Sequence, residues 1–208
     1  MSELNNLIAT MVTGKITDEN EQNYYIQKEG LIFRLPKDEL SFSIGDEVTG
    51  FAYTDKSGKQ CLTLTTPTAT RETYGWGTVT DVRKDLGVFI DVNIPEKDVV
   101  VSIDVLPEMK ELWPKKGDKL YVKLDVDNKD RIWGEIAYPE TFIEMSGKAY
   151  DNMQNQNVQA IVYRNKLSGS FVYLPEHNML GFIHPNERFF EPRLGQVLDA
   201  RVIGYREI

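Results

Sequence analysis

Apolar and polar residues alternate in short runs along most of this chain, the pattern of strands with one buried face rather than of helices. The clearest run is Gly77-Thr78-Val79-Thr80-Asp81-Val82, followed by the turn Lys84-Asp85-Leu86-Gly87 and a second run over Val88–Val92. A loop over Asn93–Lys97 leads into Val99–Ser102, and Lys119–Val126 with Arg131–Ala137 reads as a hairpin around Asp127-Asn128-Lys129-Asp130. Between the third and fourth runs, Pro107–Trp113 predicts one to two helical turns, opened by a proline and stopped before Pro114. Five strands with a short helix after the third match the order of the Greek-key barrel of the OB-fold.

The pattern recurs. Gly45, Gly117 and Gly195 each open an apolar run, 72 and 78 residues apart, and self-similarity at such a period marks a unit built more than once. Before each lies an aromatic-centred run and a short apolar one: Tyr24-Tyr25-Ile26-Gln27 then Leu31–Leu35, Val88–Val92 then Val99–Ser102, and Gly169–Leu174 then Gly181–Pro185. The expected fold is all-β, with three tandem five-stranded barrels over residues 1–70, 74–138 and 158–208. The first is expected to open with a strand over Ile8–Ile16, bent at Gly14. The third ends with a strand over Gln196–Tyr205 and lacks its last strand. Phe142, Met145, Ala149 and Met153, three or four residues apart, predict a connecting helix within 139–157.

Composition narrows the function. The 208 residues carry a net charge of −8, which disfavours tight binding to duplex DNA. That charge sits in the first two units; residues 141–208 hold seven basic and seven acidic side chains. The start of the chain has no basic, apolar leader pattern, and no apolar stretch nears the ~20 residues of a membrane span. The single cysteine, Cys61, excludes an intrachain disulfide and suits a reduced, cytoplasmic setting. Two histidines in one unit and one cysteine in another make no usual zinc site. No phosphate-binding loop and no nucleophile elbow occurs. Asp125–Asp130 imitates a calcium loop, but its sixth and twelfth positions are Asp130 and Ile136 rather than Gly and Glu. No cofactor, metal or catalytic residue is therefore expected.

Gly-x-Phe-Val, then Gly-Phe-Ile-His-Pro, a Gly-Gln/Asp-x-Val strand and a closing Asp-x-Arg-Ile hairpin resemble the S-one RNA-binding domain, a module of OB type. Longer runs are similar to the conserved virulence factor B (CvfB) family of Firmicutes: Tyr74-Gly75-Trp76-Gly77, Arg83–Phe89, Glu111–Asp118 and Asn152–Asn157. That resemblance implies three barrels of this type followed by a winged helix, acting as an RNA-binding regulator of virulence-gene expression. The winged helix is missing here, which implies a shortened or proteolysed form.

In such domains single-stranded RNA lies across the second and third strands, and bases stack on exposed rings. Carried over, the rings are Tyr25, Phe89 and Phe171 on the second strands, and Phe33 and His184 at the ends of the third, where the second unit has Ser102. Arg34, Arg83, Lys84, Lys123, Arg131, Arg164, Lys166 and Arg201 are the expected cationic partners, though Asp81 and Asp85 crowd Arg83 and Lys84. His184, in a turn before Pro185, serves either as a hydrogen-bonded structural group or as a stacking ring. Trp76, Trp113 and Trp133 read as packing residues or contacts between barrels. The competing function is a protein scaffold or accessory subunit whose RNA contact lies in the missing domain.

Overall fold

The computed structural model of the chain describes residues 2–38, 40–148 and 153–205. A short helix, α1 (Glu3–Leu7), precedes the first barrel. That barrel comprises β1 (Met11–Glu19), β2 (Asn23–Lys28), β3 (Leu31–Pro36), β4 (Glu47–Thr54) and β5 (Gln60–Thr63), closed in the order β1-β2-β3-β5-β4. The second repeats the order with β6 (Gly75–Arg83), β7 (Gly87–Ile94), β8 (Lys97–Ser102), β9 (Lys119–Val126) and β10 (Ile132–Ile136). The third unit has β11 (Asn157–Lys166), β12 (Gly169–Leu174), β13 (Met179–Ile183) and β14 (Val197–Arg201) in an open sheet ordered β13-β12-β11-β14. The chain thus forms the expected all-β array, with four strands in the third unit among the described residues. Among the described residues, no helix is long and apolar enough to cross a membrane.

Alternation decides the faces. Val88, Ile90 and Val92 of β7 are wholly buried in the barrel, so Phe89 and Asp91 stand on its outer surface. The same holds for β12, where Val172 and Leu174 enter the core and Phe171 faces out. In all three units the first strand carries a bulge at the same place, between Ile16 and Asp18, Val79 and Asp81, and Val162 and Arg164. The bulged strand therefore sets Asp18 opposite Tyr25, Asp81 opposite Phe89, and Arg164 opposite Phe171.

Two glycine positions explain the repeat seen in the sequence. Gly45, Gly117 and Gly195 take φ of +96°, +93° and +80°, left-handed values that glycine adopts without steric cost. Gly87 and Gly169 open the second strands of their units. A Cβ there would lie 2.0 Å from the Val101 carbonyl oxygen and 2.4 Å from that of Ile183.

The units are fastened to one another. One apolar cluster runs through both closed barrels, from Ile8 to Ile132. Asn5 of α1 donates to the Asp127 carbonyl at 2.7 Å and to Asp130 Oδ1 at 3.0 Å, reaching from the first unit into the second. At the other junction the Arg193 guanidinium grips Asp118 through two hydrogen bonds of 2.9 and 3.0 Å. Lys119 N–H donates to the Gly195 carbonyl, and Leu194 N–H to that of Leu112.

Three expectations shift. The connecting helix is only α2 (Pro139–Met145), after which Gly147 N–H bonds the Asn178 carbonyl. Phe142 fills the junction, while Met153 lies in the core of the third unit, so the two do not share a helix face; Ala149 falls outside the described residues. Pro107–Trp113 forms no α-helical turn. Its one helical piece is a 3-10 turn at Lys110–Leu112, after a 3-10 turn at Ile103–Val105, and Trp113 Nε1 closes the loop onto the Pro107 carbonyl at 2.7 Å. The first strand starts at Met11 because Glu3–Leu7 is helical, with the Ser2 hydroxyl accepting from Asn5 N–H. The last described strand is confined to Val197–Arg201.

Candidate nucleic-acid interface

Tyr25, Phe89 and Phe171 occupy one equivalent place in the three units: outer face, second strand, half-buried. Their surroundings differ. In the first unit the Tyr25 hydroxyl accepts from Asn20 at 3.1 Å, and its cross-strand neighbour Arg34 is tied to Asp55 at 3.0 Å and to Cys61 Sγ at 3.4 Å. In the second, Phe89 faces Asp81 on one side and Val100 on the other. A hollow of about 610 Å³ beside it is lined by Asp91, Glu96 and Asp98 against Lys56 and Lys97. Arg83 and Lys84 are exposed at the end of β6 and in the following turn, beyond this acidic patch. Both of these faces hold a carboxylate opposite the ring, which repels phosphate.

The third unit is built otherwise. Phe171 meets Phe182 edge-on at 5.2 Å between centroids and Tyr163 at 6.4 Å, and the Lys166 ammonium lies 5.6 Å from its ring centre. Phe182 pairs with Phe171 across the strands and is 50% exposed. Arg164 is exposed at the bulge position, and neither it nor Lys166 has an ion-pair partner among the described residues. His184 is exposed next to this face, with Nδ1 accepting from Asn186 N–H at 3.2 Å. It caps a turn as Ser102 does in the second unit, where the hydroxyl accepts from Asp104 N–H. A cation opposite the ring and a second exposed ring beside it make a surface on which a base can stack while its phosphate is neutralised.

Several expected residues lie elsewhere. Phe33 is fully buried and offers no ring. The register shows why: Tyr25 pairs with Arg34, Phe89 with Val100 and Phe171 with Phe182, so Phe33 is one residue out of step and points inward. Arg201 sits opposite Asn157, at the far end of β11 from Arg164, beside a hollow of about 540 Å³ that also contains Glu176 and Asp199. Lys123 lies on β9, its ammonium 5.2 Å from the centre of the Tyr74 ring, away from Phe89. Phe182 was the residue that sequence reasoning missed. It lies in the Gly-Phe-Ile-His-Pro run, two positions before His184, where strand alternation puts it on the same side as the ring.

Arg131 is committed to its own hairpin: its Nε donates to Asp127 at 2.7 Å and its guanidinium lies 5.7 Å from the Trp133 ring centre. Burial pushes the Asp127 carboxyl up, but N–H donors from Arg131, Trp133 and Lys129 outweigh it and hold the group at about 2. A carboxyl held below its ordinary value stabilises the fold above about pH 4, and that contribution fades as pH falls towards 2. Asp127→Asn should therefore flatten the loss of urea resistance between those pH values. An acid limb as steep as in the unchanged chain would show that this carboxylate contributes nothing.

Family models match all three units: "S1 domain" over residues 8–66, "CvfB first S1-like domain" over 74–135, and "Virulence regulatory factor CvfB, second domain" over 142–207. The Bacillus subtilis protein YitL is 39% identical over 162 residues, 78% of this chain and 54% of that one. Conserved virulence factor B of Staphylococcus epidermidis is 38% identical over 172 residues, 82% of this chain and 56% of that one. The chain thus spans about half the length of the curated relatives it matches. A crystal structure from Streptococcus pneumoniae, described as a multidomain protein with nucleic acid binding domains, superposes with a TM-score of 0.93 at 61% identity. It covers 97% of this chain, which covers 71% of that one. With its three barrel-type units and these matches over nearly its whole length, the chain belongs to the conserved virulence factor B family.

Proposed function

We propose that this chain binds single-stranded RNA on the outer face of its third unit and serves, without catalysis, as a regulator of gene expression that includes virulence factors. One observation carries the reading. At the bulge position where the first two units hold Asp18 and Asp81, the third holds Arg164, opposite Phe171 and beside Phe182 and Lys166. Stacking on rings is indifferent to base identity, whereas the cations supply affinity that falls with salt. The nucleic-acid-binding description of the pneumococcal relative and the virulence-factor name of the staphylococcal one support the same reading. The Tyr25 face of the first barrel, with Arg34 tied to Asp55, and the Phe89 face of the second, where carboxylates outnumber lysines, take no part in this contact.

Fluorescence anisotropy with a labelled oligouridylate and with a duplex DNA of equal length tests this. Binding of the single strand should exceed that of the duplex, and log Kd should rise with log salt at a slope of about 0.7 per phosphate contacted. Equal or absent binding of the two at low salt would refute RNA capture by this chain and favour a protein scaffold.

A further inference from the structure

The aromatic face of the third unit adjoins a packed cluster of rings that crosses the unit boundary, with Phe142 and Tyr173 buried at its middle. Tyr163 stacks on Phe142 of α2 at 4.3 Å between centroids; Phe142 lies 5.6 Å from Tyr121, and Tyr121 stacks on Tyr74 at 5.5 Å. Trp76 and Tyr173 fill the same row, 5.8 Å apart. The rings therefore form one continuous file from Phe182 in the third unit to Tyr74 in the second. Burial pushes the hydroxyls of Tyr121, Tyr163 and Tyr173 up, so the file stays uncharged.

Its two ends are alike. At one end Lys166 covers Phe171; at the other Lys123 covers Tyr74. Neither ammonium forms an ion pair among the described residues, although Glu135 is the cross-strand neighbour of Lys123. A lysine over a ring is held there by attraction to the ring face. When a base takes the ring face, the displaced ammonium is placed for the attached phosphate. Next to Tyr74 the backbone packs closely: at Gly75 a Cβ would stand 1.6 Å from the Thr68 carbonyl oxygen. Glu140 and Glu144 are exposed on α2 beside the junction, leaving the lysine-capped ends as the places where phosphate is welcome.

We infer a second nucleic-acid contact, formed by Tyr74 and Lys123 on the β6–β9 face of the second barrel, which takes up a single strand after it leaves Phe171. It rests on the proposed function and extends it. This is not the β7–β8 face that carries Phe89, and it assigns the second barrel a part in binding that its acidic face would deny.

The test compares labelled oligouridylates of about four and about twelve nucleotides, both within the roughly 4–16 nucleotides that barrels of this type cover, on the whole chain. The long strand should bind more tightly. Tyr74→Leu should weaken it about fivefold or more, and Lys123→Gln should lower its salt slope by about 0.7, with Lys123→Arg restoring it. The short strand should be unaffected by all three, and thermal melting should not change. If Phe171→Ala weakens both lengths while the Tyr74 and Lys123 variants alter neither, the second contact does not exist and the proposed function stands. If the unchanged chain binds neither strand, both readings fall.

Discussion

Arg164→Asp should weaken binding of a short single-stranded RNA by at least tenfold and lower its salt dependence, with thermal melting unchanged because the side chain is exposed. The substitution gives the third unit the carboxylate that the other two carry at the bulge. It removes one cation and sets a like charge against phosphate, an arrangement that costs several kcal/mol where it is close. Phe171→Ala separates stacking from charge. Each stacked base contributes about 1–3 kcal/mol, so this change should weaken binding by about fivefold to a hundredfold and leave the salt slope as it was. Phe171→Leu keeps most of the apolar bulk against Tyr163 and Phe182 but removes the π-face, and should behave like the alanine. Binding that survives Arg164→Asp and both Phe171 variants at full strength would place RNA contact outside this face.

Asp118→Ala should cost about 3 kcal/mol of stability, the low end for breaking a buried pair, and lower the melting temperature by about 6–12 °C. Asp118 is 5% exposed and accepts two hydrogen bonds from Arg193 and one from Lys115 N–H. Removing it strands a guanidinium at the junction between the second and third units. The repeat supplies a control. Asp46 caps the matching turn of the first barrel by accepting from Ser43 N–H at 2.8 Å, but it is exposed and has no arginine partner in any described ion pair. Asp46→Ala should therefore cost only about 1 kcal/mol, the worth of one such hydrogen bond. Equal losses at the two positions would mean that the bond between units contributes nothing beyond the cap.

The recurrence of an aromatic at Tyr25, Phe89 and Phe171 is legible in the order of residues, whereas its outward direction is set by which neighbours the closed sheet buries. Phe33 could not be read correctly. Its place depends on how β3 registers against β2, and a slip of one residue exchanges the two faces. Alternation puts Phe182 on the side of His184, but its pairing with Phe171 is a matter of register. Trp76, expected as a packing or inter-barrel ring, does lie at the junction against Phe142 and Tyr173. Its partners come from residues far apart in the chain, so no local pattern could have named them.

Repeat length, strand order and the glycine turns are local properties. They follow from residue order because side-chain alternation and positive φ act over a few neighbours. Which unit presents a usable face was decided only in three dimensions. The bulge brings Asp18, Asp81 and Arg164 opposite their rings, Asp55 from the turn between β4 and β5 occupies Arg34, and the packing of α2 joins two aromatic clusters into one file. Charge and ring exposure at a surface depend on pairing between distant strands, and that pairing exists only once the barrels close and dock.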